Sequence, residues 1–557
     1  MNRRPSGYEP DELPLLHPAI LYALYECLYI ISRTIRFVNT FLKIIFIFFS
    51  YLKYMLKRRK YSFVLYKKIM DLCLFIAFYL RFCYNNDIKR KEVKRMYYLQ
   101  NRWKFENNTL FYYGLRNKEN LFKNKIKLSK KQRAIISALP KELDSDEKEI
   151  LRKLLGKQVV TEKELTYIPK SLSEARFCKN CCANNYIIPG LEFDSEGNCP
   201  MCQTADGVKN FKSILPFVDD IPKSDKSRFD VALFYTGGKD STYMLYYLSK
   251  VKKLRVLALT WVIPFMSESA KKSIENAKHT FTSVEFIERT VNRDDLQRIY
   301  RKLYSLSGNT CACPSLAYLL FYPELVSSRV PYFVAGNEPV QMLGLYYNHM
   351  APALAYSFSA NKLLSFLINI GRVITFHPPL KQGQFQTLMT MKQLAYGDNF
   401  IKRISGYSNE LVSNVVKAIH EVPEILTPLK RSIRRSSRNG HIPAFVHLDL
   451  DKICGGRYDW NKVKDILIRE CGWVAPDESS KALHTSCSIE KCKDHTQFVR
   501  FYNCHSRLIP FSAIEMSLAS KNCGKSREEM MDEMRNSLGF SLEKIPECKI
   551  MQKFIGG

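Results

Sequence analysis

The chain has 557 residues, 46% of them hydrophobic and 25% charged, and its 85 Lys and Arg against 54 Asp and Glu leave a formal charge of +31. That length exceeds what one hydrophobic core serves, so two or three globular domains are expected. The basic excess points to a polyanionic partner (RNA, an anionic membrane face or nucleotide-linked substrates), and 17 cysteines spread over such a length exclude a small disulfide scaffold.

Residues 1–100 read as a basic, apolar helical segment. Met1 to Pro14 is polar, which argues against a cleavable signal peptide. The apolar run from Phe37 to Leu56 has the length of a bilayer span, but Lys43 and Lys53 interrupt it. Lys57-Arg58-Arg59-Lys60 follows, then a second apolar stretch from Ile69 to Leu80 and the cluster Lys89-Arg90-Lys91. Apolar helices punctuated by basic clusters lie in the headgroup plane of an anionic membrane. A buried helix pair with solvated basic faces gives the same pattern. The expected location is cytoplasmic, peripheral on the inner membrane if the first reading holds.

Residues 101–172 read as a polar, helical connector, with two short amphipathic helices around Pro140 between Ser129 and Leu155. Residues 173–215 hold Cys178-Lys-Asn-Cys181 and Cys199-Pro-Met-Cys202. Two such knuckles at this separation match a four-thiolate Zn²⁺ site, in which each tight turn supplies half of a tetrahedron. Disulfides or unmetallated thiols are the alternative. Gly190 and Gly197 turn the chain between short strands such as Tyr186–Ile188 and Leu191–Phe193. Cys182 is spare.

Residues 216–440 read as an α/β domain. Val231 to Tyr235 is an apolar run suited to a buried parallel strand. Thr236-Gly237-Gly238-Lys239-Asp240-Ser241 is a tight turn, and a helical pattern follows from Thr242 to Ser249. Strand, glycine turn and helix N-terminus make an anion site: the glycines admit backbone N–H groups close to an oxygen-rich ligand, and the helix dipole favours its charge. The turn fits neither the Walker A loop nor the dinucleotide-binding fingerprint. Leu254–Val262 and Ser283–Ile287 are further strands around a helix from Ser267 to Thr280, which predicts a doubly wound parallel sheet with ligands at the C-terminal strand edges. Thr260 closes the second strand. Asn309-Thr-Cys311-Ala-Cys313-Pro314 offers a second metal, a thiol activated by a helix N-terminus, or merely structural cysteines. Pro331 to Ala335 is a later strand, running into Gly336-Asn337-Glu338. The basic run from Arg431 to Arg438 reads as a solvated loop.

Residues 441–557 read as a substrate- or partner-binding region. They carry Tyr458-Asp459-Trp460, Cys471-Gly472-Trp473, His484-Thr-Ser-Cys487 and a helix start at Ser526-Arg-Glu-Glu529, which is a capping box. His484, Cys487, Cys492, His495, Cys504 and His505 form an irregular candidate for a second metal site.

Thr236 to Ser241 resembles the PP-loop of ATP pyrophosphatases, Ser-Gly-Gly-x-Asp-Ser, with Thr236 keeping the hydroxyl of the usual Ser. A four-cysteine ribbon ahead of a PP-loop, with Gly472-Trp473, His484 to Cys487 and Ser526 to Glu529, resembles the N-acetyl sugar amidotransferase family over about residues 174–550. The resemblance implies a PP-loop, adenine nucleotide alpha hydrolase-like fold with a zinc ribbon. It implies ATP bound by Thr236, Gly237, Gly238, Lys239, Asp240 and Ser241, with Thr260 near the adenine and Asn337 and Glu338 at the site edge. Lys239 and Asp240 would be catalytic, Asp240 by positioning Mg²⁺, with Cys311 and Cys313 as candidate nucleophiles. Zn²⁺ would sit on Cys178, Cys181, Cys199 and Cys202. The implied reaction adenylates the acetamido oxygen of a nucleotide-linked N-acetyl sugar, and ammonia displaces AMP, in bacterial surface polysaccharide assembly. No cysteine has the Gly-x-Cys-x-Gly context of a class I glutaminase, so a separate glutaminase, with an ammonia-channel subunit, would supply nitrogen. The alternative is a PP-loop thiotransferase acting on tRNA or a small metabolite, which uses the same adenylation. The charge and the Cys311/Cys313 pair favour it. A non-catalytic membrane-associated scaffold is the third reading, opposed by the intact Gly237, Gly238, Asp240 and Ser241.

Overall fold

The computed structural model describes residues 95–118, 124–162, 165–204, 217–308, 312–348, 358–398, 410–476, 486–536 and 539–556. The chain divides into two compact units, Met1–Met96 and Tyr97–Gly557. The apolar segments expected between residues 17 and 83 lie outside the described residues. No described helix is long and apolar enough to cross a membrane.

The second unit begins with a small β-rich layer. Strands β1 (Met96–Leu99), β5 (Lys141–Glu142) and β6 (Val160–Thr161) form one sheet, and β2 (Trp103–Glu106), β3 (Thr109–Tyr112) and β4 (Lys125–Lys127) another. This corrects the helical-connector reading. Trp103-Lys-Phe-Glu and Thr109-Leu-Phe-Tyr are β-formers on either side of Asn107-Asn108, and Asn107 takes φ 54° in the turn. The two helices expected here do form: α1 (Lys130–Ser137) and α2 (Ser145–Gly156), each opened by a capping box, on Ser129 and Asp144. The described residues of the cysteine region add the short α3 (Pro200–Gln203). Tyr186–Ile188 and Leu191–Phe193 are turns and irregular chain rather than strands. Their apolar side chains are used in packing against the main core.

The main sheet holds five parallel strands in the order β10-β9-β8-β11-β12: β8 (Val231–Phe234), β9 (Val256–Trp261), β10 (Glu285–Arg289), β11 (Tyr332–Ala335) and β12 (Ala444–Phe445). Beside it, β7 (Phe217–Val218) pairs with β13 (His447–Leu448). β8 and β9 are buried on both faces, as helical crossovers require. Helix α4 (Lys239–Tyr246) links β8 to β9, and α5 (Glu268–Thr280), N-capped by Ser267, links β9 to β10. Helices α6 (Arg293–Ser307) and α7 (Cys313–Ser327) precede β11, and α8 (Pro339–Tyr347) follows it. This is the doubly wound α/β fold expected from the sequence. Chain order reverses between β8 and β11, the crevice where such sheets take their ligands.

Helices α9 (Phe358–Ile374), α10 (Gln384–Tyr396), α11 (Glu410–Ile419) and α12 (Leu426–Asn439) come before β12. The basic run Arg431 to Arg438 lies within α12 and is not a loop. Leu426, Leu429, Ile433 and Ser436 recur at helical spacing and are buried, while the arginines between them point outward. The C-terminal part has α13 (Leu450–Ile453), α14 (Trp460–Cys471), α15 (Glu490–Tyr502), α16 (Phe511–Asn522), α17 (Arg527–Asn536) and α18 (Cys548–Phe554). Its apolar residues share one core with β8 and with Cys178, Cys181 and Cys199, so the cysteine knuckles are built into the α/β body.

Candidate functional site

Two constellations carry chemistry. The first sits at the C-terminal end of β8. Gly237 takes φ +69°, which side chains other than hydrogen resist, and a Cβ there would lie 2.5 Å from the Ala270 carbonyl oxygen. Gly238 caps α4, leaving the first helical N–H groups directed to the loop. The loop is held from within: Thr236 Oγ1 lies 3.0 Å from Ser241 Oγ, Ser241 Oγ accepts from Thr236 N at 3.2 Å, and Thr242 Oγ1 donates to Gly238 O at 2.8 Å. Trp473 Nε1 donates to Gly237 O at 3.1 Å, so the Gly472-Trp473 pair braces the loop from the C-terminal part. Thr236 is the exposed member of the turn. Across the crevice, Gly336 meets it so closely that a Cβ would fall 2.5 Å from Ser241 N. Asn337, next in the chain and half-buried, therefore stands beside the loop. Thr260 is fully buried and its hydroxyl donates to Tyr235 O at 2.9 Å, so it fixes the strand end.

Lys239 turns inward. It is 2% exposed, and its ammonium donates to Asp240 Oδ1 and, at 3.2 Å, to Glu338 Oε2. The ammonium also lies 4.8 Å from the Tyr458 ring centroid and 5.0 Å from that of Trp460. Tyr458 donates its hydroxyl to Asp240 Oδ1 at 2.7 Å, and Trp460 Nε1 donates to Glu338 Oε2. Glu338, expected at the site edge beside Asn337, reaches Lys239 there; Tyr458 and Trp460 were not readable as site residues, since they come from a distant segment whose only signal was an aromatic-acid-aromatic triplet. Burial lowers the affinity of Lys239 for its proton, but Asp240 and Glu338 more than offset this and raise its pKa. Two carboxylates facing one ammonium leave an excess negative charge in a dry setting. Burial, and after it the Asp240 charge, accordingly push Glu338 up from 4.5 to about 8.

An acid raised on folding contributes stability that is complete below its unfolded pKa and is lost as pH rises through the folded one. Stability is therefore expected to decline between about pH 5 and pH 8, and Glu338→Gln to flatten that slope. Urea titrations across this range check it; an unchanged slope in the variant would assign the proton elsewhere.

Helix α7 leads back to the start of β11, so its N-terminus, with Cys313, stands at the same sheet edge as the loop. Tyr318, little more than a turn further on, packs against Phe234 at 5.3 Å between centroids. Cys311 lies outside the described residues, as do His484 and Thr485. Among the described residues Cys487, Cys492, His495, Cys504 and His505 do not converge on a metal site.

The second constellation is the cysteine cluster. The sulfurs of Cys178, Cys181, Cys199 and Cys202 lie within 4.8 Å of one another. Cys181 and Cys199 are 3.5 Å apart, Cys178 and Cys202 3.8 Å. A tetrahedral ion with bonds of about 2.3 Å places its sulfurs about 3.8 Å apart, so the cluster fits one metal ion. A four-iron cubane, with each thiolate on its own iron, needs a wider cage. Backbone N–H groups of Asn180 and Cys199 donate to Cys178 Sγ at 3.4 and 3.3 Å, as suits a thiolate. Cys182 faces Ser517 instead, and burial pushes its thiol up to about 12. The Ser526–Glu529 capping box forms, and Arg527 beside it donates to the carbonyls of Cys181 and Cys178, both at 3.2 Å.

No family model matches the chain, and no curated protein matches it. Among solved structures it is similar to the U34-tRNA thiolase NcsA from Methanococcus maripaludis with its [4Fe-4S] cluster, at 13% identity, over 48% of this chain and 87% of that one, with a TM-score of 0.17. The expectation of an N-acetyl sugar amidotransferase is corrected here. No family model or curated protein supports that activity, and the similar structure named above is a thiolase. The residues behind that resemblance have local structural tasks: Trp473 braces the loop and Arg527 braces the knuckles.

Proposed function

We infer that the protein is an ATP-dependent thiotransferase, cleaving ATP to AMP and pyrophosphate. The observation that carries this reading is the loop from Thr236 to Ser241, with Gly237 left-handed and Gly336 pressed against it, at the reversal point of a parallel sheet. Backbone N–H groups of residues 237–241 would hold the phosphates, with Thr236 the accessible hydroxyl. Asn337 borders the nucleotide, and Thr260 shapes its floor by fixing the end of β8. Asp240 is the candidate ligand for Mg²⁺, which supplies charge neutralisation on the phosphates. Lys239, held by Glu338 and Trp460, and Tyr458 orient that carboxylate.

The acceptor carbonyl oxygen attacks the α-phosphorus, and pyrophosphate leaves. Hydrosulfide then attacks the activated carbon and loses its proton, AMP departs with the original oxygen, and a thiocarbonyl remains. Cys313, at the N-terminus of a 15-residue helix on the same edge, supports sulfur chemistry, because that position favours a thiolate. The formal charge of +31 favours RNA as acceptor over a small metabolite. The four-thiolate site is closed and, filled by Zn²⁺, would be structural.

Purified protein with ATP, Mg²⁺, hydrosulfide and bulk tRNA is expected to yield nucleosides carrying sulfur in place of oxygen, read by mass spectrometry after digestion. Sulfur appearing only in a small carbonyl compound would move the acceptor class. No ATP-dependent sulfur incorporation into either would overturn the reading.

A further inference from the structure

Helix α9 is built inside out. Leu363, Phe366, Leu367, Ile370, Val373 and Ile374 recur on one face at helical spacing, and all are exposed, Phe366 by 63%. Two of its polar residues, Asn369 and Arg372, face the protein instead. Asn369 Nδ2 donates to Leu380 O at 3.0 Å and its Oδ1 accepts from Leu380 N at 2.7 Å. Arg372 donates to Pro378 O at 2.8 Å and to Ser437 O at 3.2 Å. Just past the helix, Phe376 is 97% exposed. A contiguous apolar face of this kind on a soluble surface marks a docking site.

Its surroundings indicate the occupant. No acidic residue occurs between Lys362 and Gly397. The Arg372–Ser437 bond ties α9 to the end of α12, where Arg431, Arg434, Arg435 and Arg438 are exposed and no acid is present. At 17 residues the helix is no membrane span, and none is found among the described residues. An exposed apolar face flanked by uncompensated arginines is complementary to an anionic lipid surface, with apolar side chains in the acyl boundary and guanidinium groups at the headgroups.

We propose that α9 is an interfacial membrane-docking helix, with α12 supplying the electrostatic attraction to anionic lipid.

The test places a reporter on the helix of the full chain. The four native tryptophans, Trp103, Trp261, Trp460 and Trp473, are all buried, so the indole introduced by Phe366→Trp reports locally. With vesicles containing phosphatidylglycerol it is expected to shift to the blue and to be quenched by brominated acyl chains; with pure phosphatidylcholine it is expected to do so weakly. Phe366→Asp with Ile370→Asp should weaken vesicle co-sedimentation by about tenfold or more, with circular dichroism unchanged. Absence of quenching, even if the protein sediments with vesicles, would overturn the proposal. So would wild-type binding by the double Asp variant, a vesicle-free dimer that this variant dissolves, or quenching by bound RNA in place of lipid.

Discussion

A Gly237→Ala chain is expected to fold and to form AMP from ATP about a hundredfold more slowly than wild type. Gly237 has φ +69°, and for alanine that region costs about 1–2 kcal/mol. The new methyl would also fall 2.5 Å from the Ala270 carbonyl oxygen and 2.9 Å from Ile274 Cγ1. Both belong to α5, which is clamped beneath the loop, so the loop must rise. Its N–H groups then miss the phosphates, and the Trp473 bond to Gly237 O stretches. Gly156→Ala is the control: a Cβ there meets nothing within 4 Å, and the helix end tolerates it. Rates of pyrophosphate release and thermal midpoints for both variants separate lost positioning from lost stability. Wild-type turnover by Gly237→Ala would remove the loop from the chemistry.

Cys181→Ser is expected to abolish metal binding and to destabilise the whole second unit by about 3–5 kcal/mol. The four sulfurs make one closed ligand set, so replacing one leaves three thiolates around an ill-held ion. The cost spreads, because Cys178, Cys181 and Cys199 are buried in the same core as Val231 and Leu233 of β8. Cys182→Ser, one residue away and outside the ligand set, should keep the metal. Elemental analysis of the purified chain is expected to find about one zinc per chain and no acid-labile sulfide. Iron with labile sulfide on these cysteines would contradict the mononuclear geometry.

The parts of this site that the sequence declares are those whose chemistry needs neighbours in the chain. A glycine turn between a strand and a helix, and two Cys-x2-Cys knuckles, are local, and both form as spaced. The parts it conceals are built across long separations. Tyr458 reaches Asp240 over 218 positions and Trp460 reaches Glu338 over 122, so no window of sequence contains the cage. Lys239 read as a phosphate ligand because it stands within the glycine turn, but its long side chain folds into that cage. The β-hairpin at Trp103–Tyr112 was masked by basic, polar composition, although Asn107-Asn108 between aromatic runs was a readable turn. Arg431 to Arg438 looked like a loop because charge drew attention from Leu426, Leu429 and Ile433, which set the helical period. In α9 the amphipathic pattern was present, but a pattern does not say which face meets the protein; Asn369 and Arg372 decide that only once Leu380, Pro378 and Ser437 are in place.

Which bond of ATP is cut decides the central reading. Phosphorus NMR of the protein incubated with ATP, Mg²⁺, hydrosulfide and tRNA should show AMP and pyrophosphate accumulating together, with Asp240→Ala silent. ADP and inorganic phosphate as products, or nucleotide turnover unaffected by Asp240→Ala, would contradict adenylation at this loop.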